Sequence, residues 1–331
     1  MPTVKLSSGA EFNSDTSSTI LDSAAKSSIA LPYSCKTGRC STCKCRVLNG
    51  STHAIHPEIG LSGEDKADGW ILSCVRVAET DLFLDVDDLG GLVLPAIKTL
   101  PCRISQLERL ADDVIRVNLR LPPTTDFSFI PGQYIDVIGP NGIRRSYSLA
   151  NADLTGKTVE LHIRAVSGGQ MSDYWFNQAK LNDLLRLNGP LGTFFLRDMG
   201  DTDIIFLATG TGIAPVKSML ESLSLRQTDQ RPKSITVIWG GRHTHDFYFD
   251  VDKIPGVFAF VPVLSRPEKG WSGAKGYVQE ALLDLKPDLR NAAVYACGSD
   301  AMIRSAKTFL EDAGLPEKRF YSDAFVSSGT Y

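Results

Sequence analysis

The chain has 331 residues, a length that argues for two or three domains rather than a single core. Hydrophobic residues make up 43% and charged residues 22%, an ordinary mixture for a soluble globular enzyme. A formal charge of −3 and a pI near 6.0 argue against nucleic-acid binding, and no apolar run approaches the roughly eighteen residues of a membrane span.

The first residues, MPTVKLSSGAEF, lack a basic region followed by an apolar stretch and a cleavage site, so the expectation is a cytoplasmic protein. Three compositional blocks follow, predicted as domains over residues 1–95, 98–198 and 199–331. Residues 1–97 carry eight Lys/Arg against twelve Asp/Glu, so the negative charge is concentrated at this end. A helix is expected in STILDSAAKSSI, and five of the seven cysteines lie in this block.

Four of those five fall in one stretch, YSCKTGRCSTCKC. The spacing is Cys35-x4-Cys40-x2-Cys43, with Cys74 thirty-one residues further on. An odd number of clustered cysteines is a poor disulfide framework in a reducing compartment. A zinc ribbon normally uses two Cys-x-x-Cys knuckles, and only Cys40 and Cys43 form one. Cys-x4-Cys-x2-Cys with a distant fourth cysteine is the pattern of a plant-type [2Fe–2S] site. Metal ligation by zinc or buried structural thiols remain the alternatives. Gly38 supplies the positive φ such a loop needs, and small Ser41 and Thr42 let the backbone approach the sulfurs. Cys45 reads as a small buried side chain on the following strand, the alternative being an exchange ligand. The loop and the length of its block resemble the plant-type ferredoxins, which implies a β-grasp fold with Cys35, Cys40, Cys43 and Cys74 as ligands.

VDDLGGLVLPAIKTLPC reads as a linker, with paired glycines and two prolines. Strands are expected in DVIRVNLRL, YIDVIG, IRRSYSLA and TVELHIRAV, with Asn141-Gly142 as a tight hairpin turn; regularly spaced short strands predict a small antiparallel barrel. Beyond residue 200, apolar strands (DIIFLAT, SITVIWG, FAFVPVL, AAVYAC) alternate with helical segments (APVKSMLESLSL, VQEALLDL, DAMIRSAKTFLEDAG). That rhythm predicts a parallel, Rossmann-like sheet with crossover helices. The glycine turn Thr209-Gly210-Thr211-Gly212, between a strand and a helix, stands where a doubly wound sheet binds a dinucleotide, although the third glycine of the usual fingerprint is missing.

The string Arg145-Ser146-Tyr147-Ser148, set after FIPGQYIDV and before LHIRAVSGGQMS and GPLGTFF, resembles the ferredoxin–NADP reductase superfamily. The resemblance implies an FAD site. Arg145 would pair with the pyrophosphate, Tyr147 would pack on the isoalloxazine and Ser148 would donate toward flavin N5. Ser146, His162, Arg164, Gly169, Gln170, Met171 and Ser172 are further candidates. Two carry plain alternatives: His162 as strand packing, and Gly168-Gly169 before Ser172 as a glycine turn with a serine N-cap. Gly-Thr-Gly-x-Ala-Pro and Cys297-Gly298, with Ser299 opening a helix, are similar to the same superfamily's nicotinamide motifs. Cys297 would orient the nicotinamide by packing, the alternative being a core thiol. Phe325 is a candidate cover for the flavin, the alternative being core packing. Arg242 and His243 lie where a 2′-phosphate would sit, but one arginine is thin support, and NADH is preferred over NADPH. His53 and His56 read as surface residues.

LPCRIS, GPLGTFF, APVKSM, YACGSDAMI and FYSDAFV are similar to the CDP-6-deoxy-Δ-3,4-glucoseen reductase group. That resemblance implies an electron carrier running from NADH through FAD and [2Fe–2S] to a partner enzyme. The partner would be the pyridoxamine-phosphate-dependent CDP-4-keto-6-deoxyglucose 3-dehydrase of 3,6-dideoxyhexose (O-antigen) biosynthesis. The reductase component of an aromatic-ring dioxygenase or monooxygenase, and a non-enzymatic zinc-binding interaction protein, are the other readings.

Overall fold

The computed structural model describes residues 1–197, 200–227, 230–256 and 259–325. By their internal contacts these fall into two compact units, split between Leu94 and Pro95.

The first unit contains β1 (Thr3–Leu6), β2 (Glu11–Asn13), α1 (Ile20–Lys26), β3 (Lys44–Asn49), β4 (Thr52–Ala54), α2 (Gly63–Ala67), β5 (Trp70–Leu72), β6 (Arg76–Ala78) and β7 (Leu82–Asp85). Five strands form a mixed sheet in the order β2-β1-β7-β3-β5, in which β1 runs parallel to β7. Such a pairing needs a long crossover, and the helix and cysteine loop lie within it. Helix α1 starts where Thr19 accepts a hydrogen bond from the Asp22 backbone, and Asp22 also suits the positive end of the helix dipole. Its buried face, Ile20, Leu21, Ser23 and Ala24, sits against a core of Val4, Leu6, Leu72, Val75 and Leu84. This is the β-grasp arrangement expected for residues around the four cysteines.

The second unit begins with six antiparallel strands: β8 (Lys98–Ala111), β9 (Val114–Arg120), β10 (Tyr134–Ile138), β11 (Arg144–Ser148), β12 (Thr158–Arg164) and β13 (Leu184–Leu191). Their order is β11-β10-β13-β8-β9-β12, and a bridge between Leu149 and Leu161 joins the outer strands into a barrel. The Asn141-Gly142 turn joins β10 to β11 as expected, both residues having positive φ. The linker is shorter than its composition implied, because residues 98–102 are already strand β8. Exposed Pro101 lies where β8 pairs with β13 alone, because β9 joins only from Arg103, so this stretch is an edge, where proline is tolerated. A short helix, α3 (Gln170–Asp173), continues as a wider π-turn over Tyr174–Gln178.

The chain then builds β14 (Asp203–Thr209), α4 (Ile213–Ser224), β15 (Ser234–Gly241), β16 (Ala259–Leu264), β17 (Ala274–Lys275), α5 (Val278–Asp284), β18 (Ala292–Ser299), α6 (Asp300–Asp312) and β19 (Phe320–Phe325). All pairings are parallel, in the order β17-β16-β15-β14-β18-β19. The unbroken burial of β14 and β18 is what a parallel sheet covered on both faces requires. Successive strands run outward from β14 on one side and from β18 on the other. The direction of winding therefore reverses between these two strands, and the crevice at their carboxyl ends is where such sheets bind ligands.

Candidate functional site

Three places in the fold gather the residues singled out in the sequence. The first is the cysteine loop. Its backbone turns repeatedly through positive φ, at Lys36 (54°), Gly38 (74°) and Ser41 (61°). Gly38 is obligatory on a second count: a Cβ there would lie 2.4 Å from the Pro57 carbonyl. Ser41, singled out in the sequence only for its small size, is a left-handed non-glycine; its hydroxyl donates to the Gly60 carbonyl.

The wrapped backbone aims N–H groups at sulfur, from Cys35 to the Cys40 thiol and from Thr37 to the Cys35 thiol, both at 3.4 Å. The four sulfurs meet as two hydrogen-bonded pairs, Cys35 with Cys40 and Cys43 with Cys74. Within each pair the shared proton holds one thiol down and the other up: Cys35 and Cys74 are lowered, Cys40 and Cys43 raised. Among the described residues, no three His, Cys, Asp or Glu side chains gather as around a single metal ion. Two thiol pairs, with backbone donors directed at them, fit a binuclear cluster with two thiolates per iron. Cys45 lies on β3, fully buried in the core behind the loop, and burial pushes its thiol up to about 12.

The second place is a cavity of about 800 Å³ on the barrel, lined by the Asn141 turn and by Ser167, Gly168, Gly169, Gln170 and Ser172, among others. Its size is that of a cofactor site. The helix here is capped by Gly169, without a side-chain bond, so Ser172 is not the N-cap that its position in the string implied. It sits in the first turn instead, and its hydroxyl accepts from the Val166 backbone, closing the glycine turn. Met171 packs on the hairpin at Gly139 and is buried in the barrel core. On β11, Arg145 and Tyr147 share one face and Ser146 and Ser148 the other, as strand alternation dictates. Tyr147 is half-buried, accepts from the Trp175 indole at 3.0 Å, and is raised to about 12 by burial. Ser148 is buried where β11 meets the bridge that closes the barrel.

The third place is the switch point between β14 and β18. Gly212 lies so close to β18 that a Cβ would come within 2.2 Å of the Cys297 carbonyl. Gly298 (φ 152°) faces Thr209, whose hydroxyl lies where a Cβ at residue 298 would be, 2.1 Å away. Thr209 is thus accommodated by the glycine opposite. Ser299 caps α6 by accepting from the Met302 backbone. Cys297 is wholly buried, and burial, with Asp323 behind it, pushes its thiol well up, so it is a neutral packing group. Phe325 ends β19 beside Ser299 and is 41% exposed at the carboxyl edge of the sheet.

A seam of polar side chains joins the second and third places, and sequence reasoning missed most of it. Lys217 on α4 donates to the Ala150 carbonyl (3.0 Å) and pairs with Glu160 (3.1 Å) and Glu221 (2.6 Å). Buried His162 has both ring nitrogens engaged, Nε2 by Glu160 at 2.9 Å and Nδ1 by the Tyr248 hydroxyl at 3.2 Å. With a carboxylate on Nε2, the neutral ring carries its proton there and accepts from Tyr248. Burial lowers His162; burial would raise Glu160, but His162 and Lys217 hold it at about 2. Arg164 is clamped between Asp113 (2.9 Å) and Asp246 and lies against Gly210. Asp246 also accepts from the backbones of Arg242 and His243, and His243 pairs with Glu268 at 3.3 Å. The one early signal was charge alternation in VELHIR; its partners lie too far along the chain to be found by spacing.

Three family models match the chain. Residues 4–79 match a 2Fe-2S iron-sulfur cluster binding domain, residues 101–196 an oxidoreductase FAD-binding domain, and residues 206–308 an oxidoreductase NAD-binding domain. The chain is 44% identical over 97% of both chains to the CDP-6-deoxy-L-threo-D-glycero-4-hexulose-3-dehydrase reductase of Yersinia pestis. It is 37% identical to protein RfbI of Salmonella typhimurium, over 97% of this chain and 95% of the other. Among solved structures it resembles the Amycolatopsis cytochrome P450 reductase GcoB, with a TM-score of 0.76, 29% identity and coverage of 99% and 100% of the two chains. No described helix is long and apolar enough to cross a membrane. With cluster, flavin and nicotinamide domains in one chain, this NAD(P)H oxidoreductase belongs to the family of the CDP-6-deoxyhexulose-3-dehydrase reductases, within the ferredoxin–NADP reductase superfamily.

Proposed function

We propose that this chain takes hydride from NADH and delivers single electrons to the pyridoxamine-phosphate-dependent CDP-4-keto-6-deoxyglucose 3-dehydrase of 3,6-dideoxyhexose biosynthesis. One observation carries the choice of partner: the 44% identity to a reductase of that name extends over 97% of both chains. When bound, FAD and the [2Fe–2S] cluster supply the conversion of an electron pair into single electrons, the cluster standing at roughly −400 mV.

The protein's own residues bind and orient. Cys35, Cys40, Cys43 and Cys74 would hold the [2Fe–2S] cluster, and the Cys35 and Thr37 N–H groups, directed at the Cys40 and Cys35 sulfurs, would stabilise the thiolates. Arg145 and the turn through Gly169, Gln170 and Ser172 hold the flavin diphosphate, with Ser146, Tyr147 and Ser148 along the flavin itself. Thr209, Gly210, Thr211 and Gly212 take the dinucleotide at the switch point, against Cys297 and Gly298. Arg164 fixes the edge of that loop. Phe325, at the carboxyl end of β19, would cover the flavin and exclude water from it.

Seven unpaired cysteines fit the reducing cytoplasm. Delivery to an oxygenase is the second reading, supported by the likeness to a cytochrome P450 reductase. Reconstitution decides between them: NADH-driven deoxygenation is expected with the sugar dehydrase. Turnover with an oxygenase and none with the dehydrase would reverse the choice.

A further inference from the structure

Residues 55–61 form a strap across the cysteine loop. At one end the Ile55 backbone donates to Val75, and at the other the Gly60 backbone donates to the Gly38 carbonyl at 2.9 Å. Between them the Pro57 carbonyl presses on Gly38, and the Gly60 carbonyl accepts from Ser41. The strap therefore touches the loop that carries Cys35, Cys40 and Cys43, but none of its own residues is a candidate ligand.

A buried carboxylate anchors the strap. The Glu58 carboxylate is 3% exposed, an unusual place for a charge. It accepts from the Leu72 backbone at 2.8 Å and takes a two-pronged pair from Arg76, at 3.1 Å from Nε and 2.8 Å from Nη2. Arg76 is held in turn by the carbonyl and hydroxyl of Thr52, the first residue of the strand that leads into the strap. Leu72 and Arg76 stand two residues either side of Cys74. One carboxylate thus ties together the strap, the start of the hairpin that feeds it and both flanks of the fourth cysteine. Nothing in the spacing of the cysteines requires this acid.

We propose that Glu58, through Arg76 and the Leu72 N–H, is a positioning residue for the iron–sulfur cluster, clamping the strap against the cysteine loop and fixing Cys74 opposite Cys43. A carboxylate held this way stiffens the loop, keeps water off that side of the cluster and places a negative charge behind it. The first two effects oppose cluster loss, and the last two hold its potential low.

The inference rests on the reading of the four cysteines as cluster ligands, and the test separates the two. Full-length protein with cluster and FAD is prepared as wild type, Glu58→Gln, Glu58→Ala, Arg76→Lys and the exposed control Glu11→Gln. Bleaching by an iron chelator, the midpoint potential of the cluster and NADH-driven reduction of ferricyanide are then measured. Glu58→Ala is expected to bleach at least about tenfold faster, as loss of a ligand's supporting contacts does in metal sites. Glu58→Gln, which keeps an acceptor for the Leu72 N–H, falls between it and wild type with a more positive potential. Ferricyanide reduction and the Glu11→Gln control stay within twofold of wild type. If Glu58→Ala does not accumulate, Glu58→Gln and Arg76→Lys decide by the same readouts. Wild-type bleaching and potential in the Glu58 and Arg76 variants would overturn the proposal while leaving the ligand assignment intact; absence of any cluster in the wild type would remove the ligand assignment itself.

Discussion

The cysteine loop and the flavin–nicotinamide seam do comparable work with opposite construction. The loop draws three of its four sulfurs from nine consecutive positions, 35–43, so backbone conformation alone sets most of its geometry. Most of the seam joins groups far apart in the chain, Lys217 to the Ala150 carbonyl across 67 residues and His162 to Tyr248 across 86 among them. Its geometry is a product of tertiary packing, and its charges are buried where a lost partner is costly. The difference teaches where each region is fragile. The loop should fail through a single ligand without disturbing its surroundings, whereas the seam should lose stability gradually across several partners.

The largest expected effect is at the loop. Cys40→Ser should abolish electron delivery to an acceptor protein while leaving NADH-driven ferricyanide reduction within about twofold, because the flavin and nicotinamide residues lie in the other unit. Loss of both activities would mean the two regions are not separable in this way. Next is the switch point, where Gly212→Ala forces a Cβ onto the Cys297 carbonyl. An overpacking cost of about 1–3 kcal/mol is expected, with at least about tenfold lower NADH turnover. Thermal melting and steady-state kinetics measure both.

The seam should respond more gently. Lys217→Met removes the cation between Glu160 and Glu221 and should cost about 1–3 kcal/mol, read from denaturant unfolding of the flavin-bound protein. Acid should act in the same direction. His162 is lowered from its ordinary value, so the unfolded chain binds its proton first and stability falls as pH drops below about 6.5. Glu160, held at about 2, adds a second loss between its ordinary value near 4.5 and 2. Melting temperatures from pH 8 to 5 should fall in the wild type, and the slope should flatten in His162→Gln. The smallest effect is expected at His53, a half-exposed residue paired with Glu79, where His53→Ala should change stability by less than about 0.5 kcal/mol.

The same contrast explains what was readable from the sequence. Ligand spacing, the Asn141-Gly142 turn and the glycines at residues 210, 212 and 298 are local chemistry, and the turn forms as expected. Strand β19 was read only as a motif, since its pairing with β18 is parallel and supplied from a distance. Pro101 disguised the start of β8 as linker, and only the register of β9 shows why it is tolerated. Glu58 and Asp246 passed as ordinary acids; each becomes notable only when burial and its arginine partner are seen together.

The most direct test of the electron path is low-temperature electron paramagnetic resonance of protein reduced anaerobically with NADH. The account predicts the signal of a reduced [2Fe–2S] centre in the wild type, and its loss in Cys40→Ser with flavin bleaching preserved. A signal of full intensity in Cys40→Ser, or none in a wild-type protein that still delivers electrons to its partner, would contradict it.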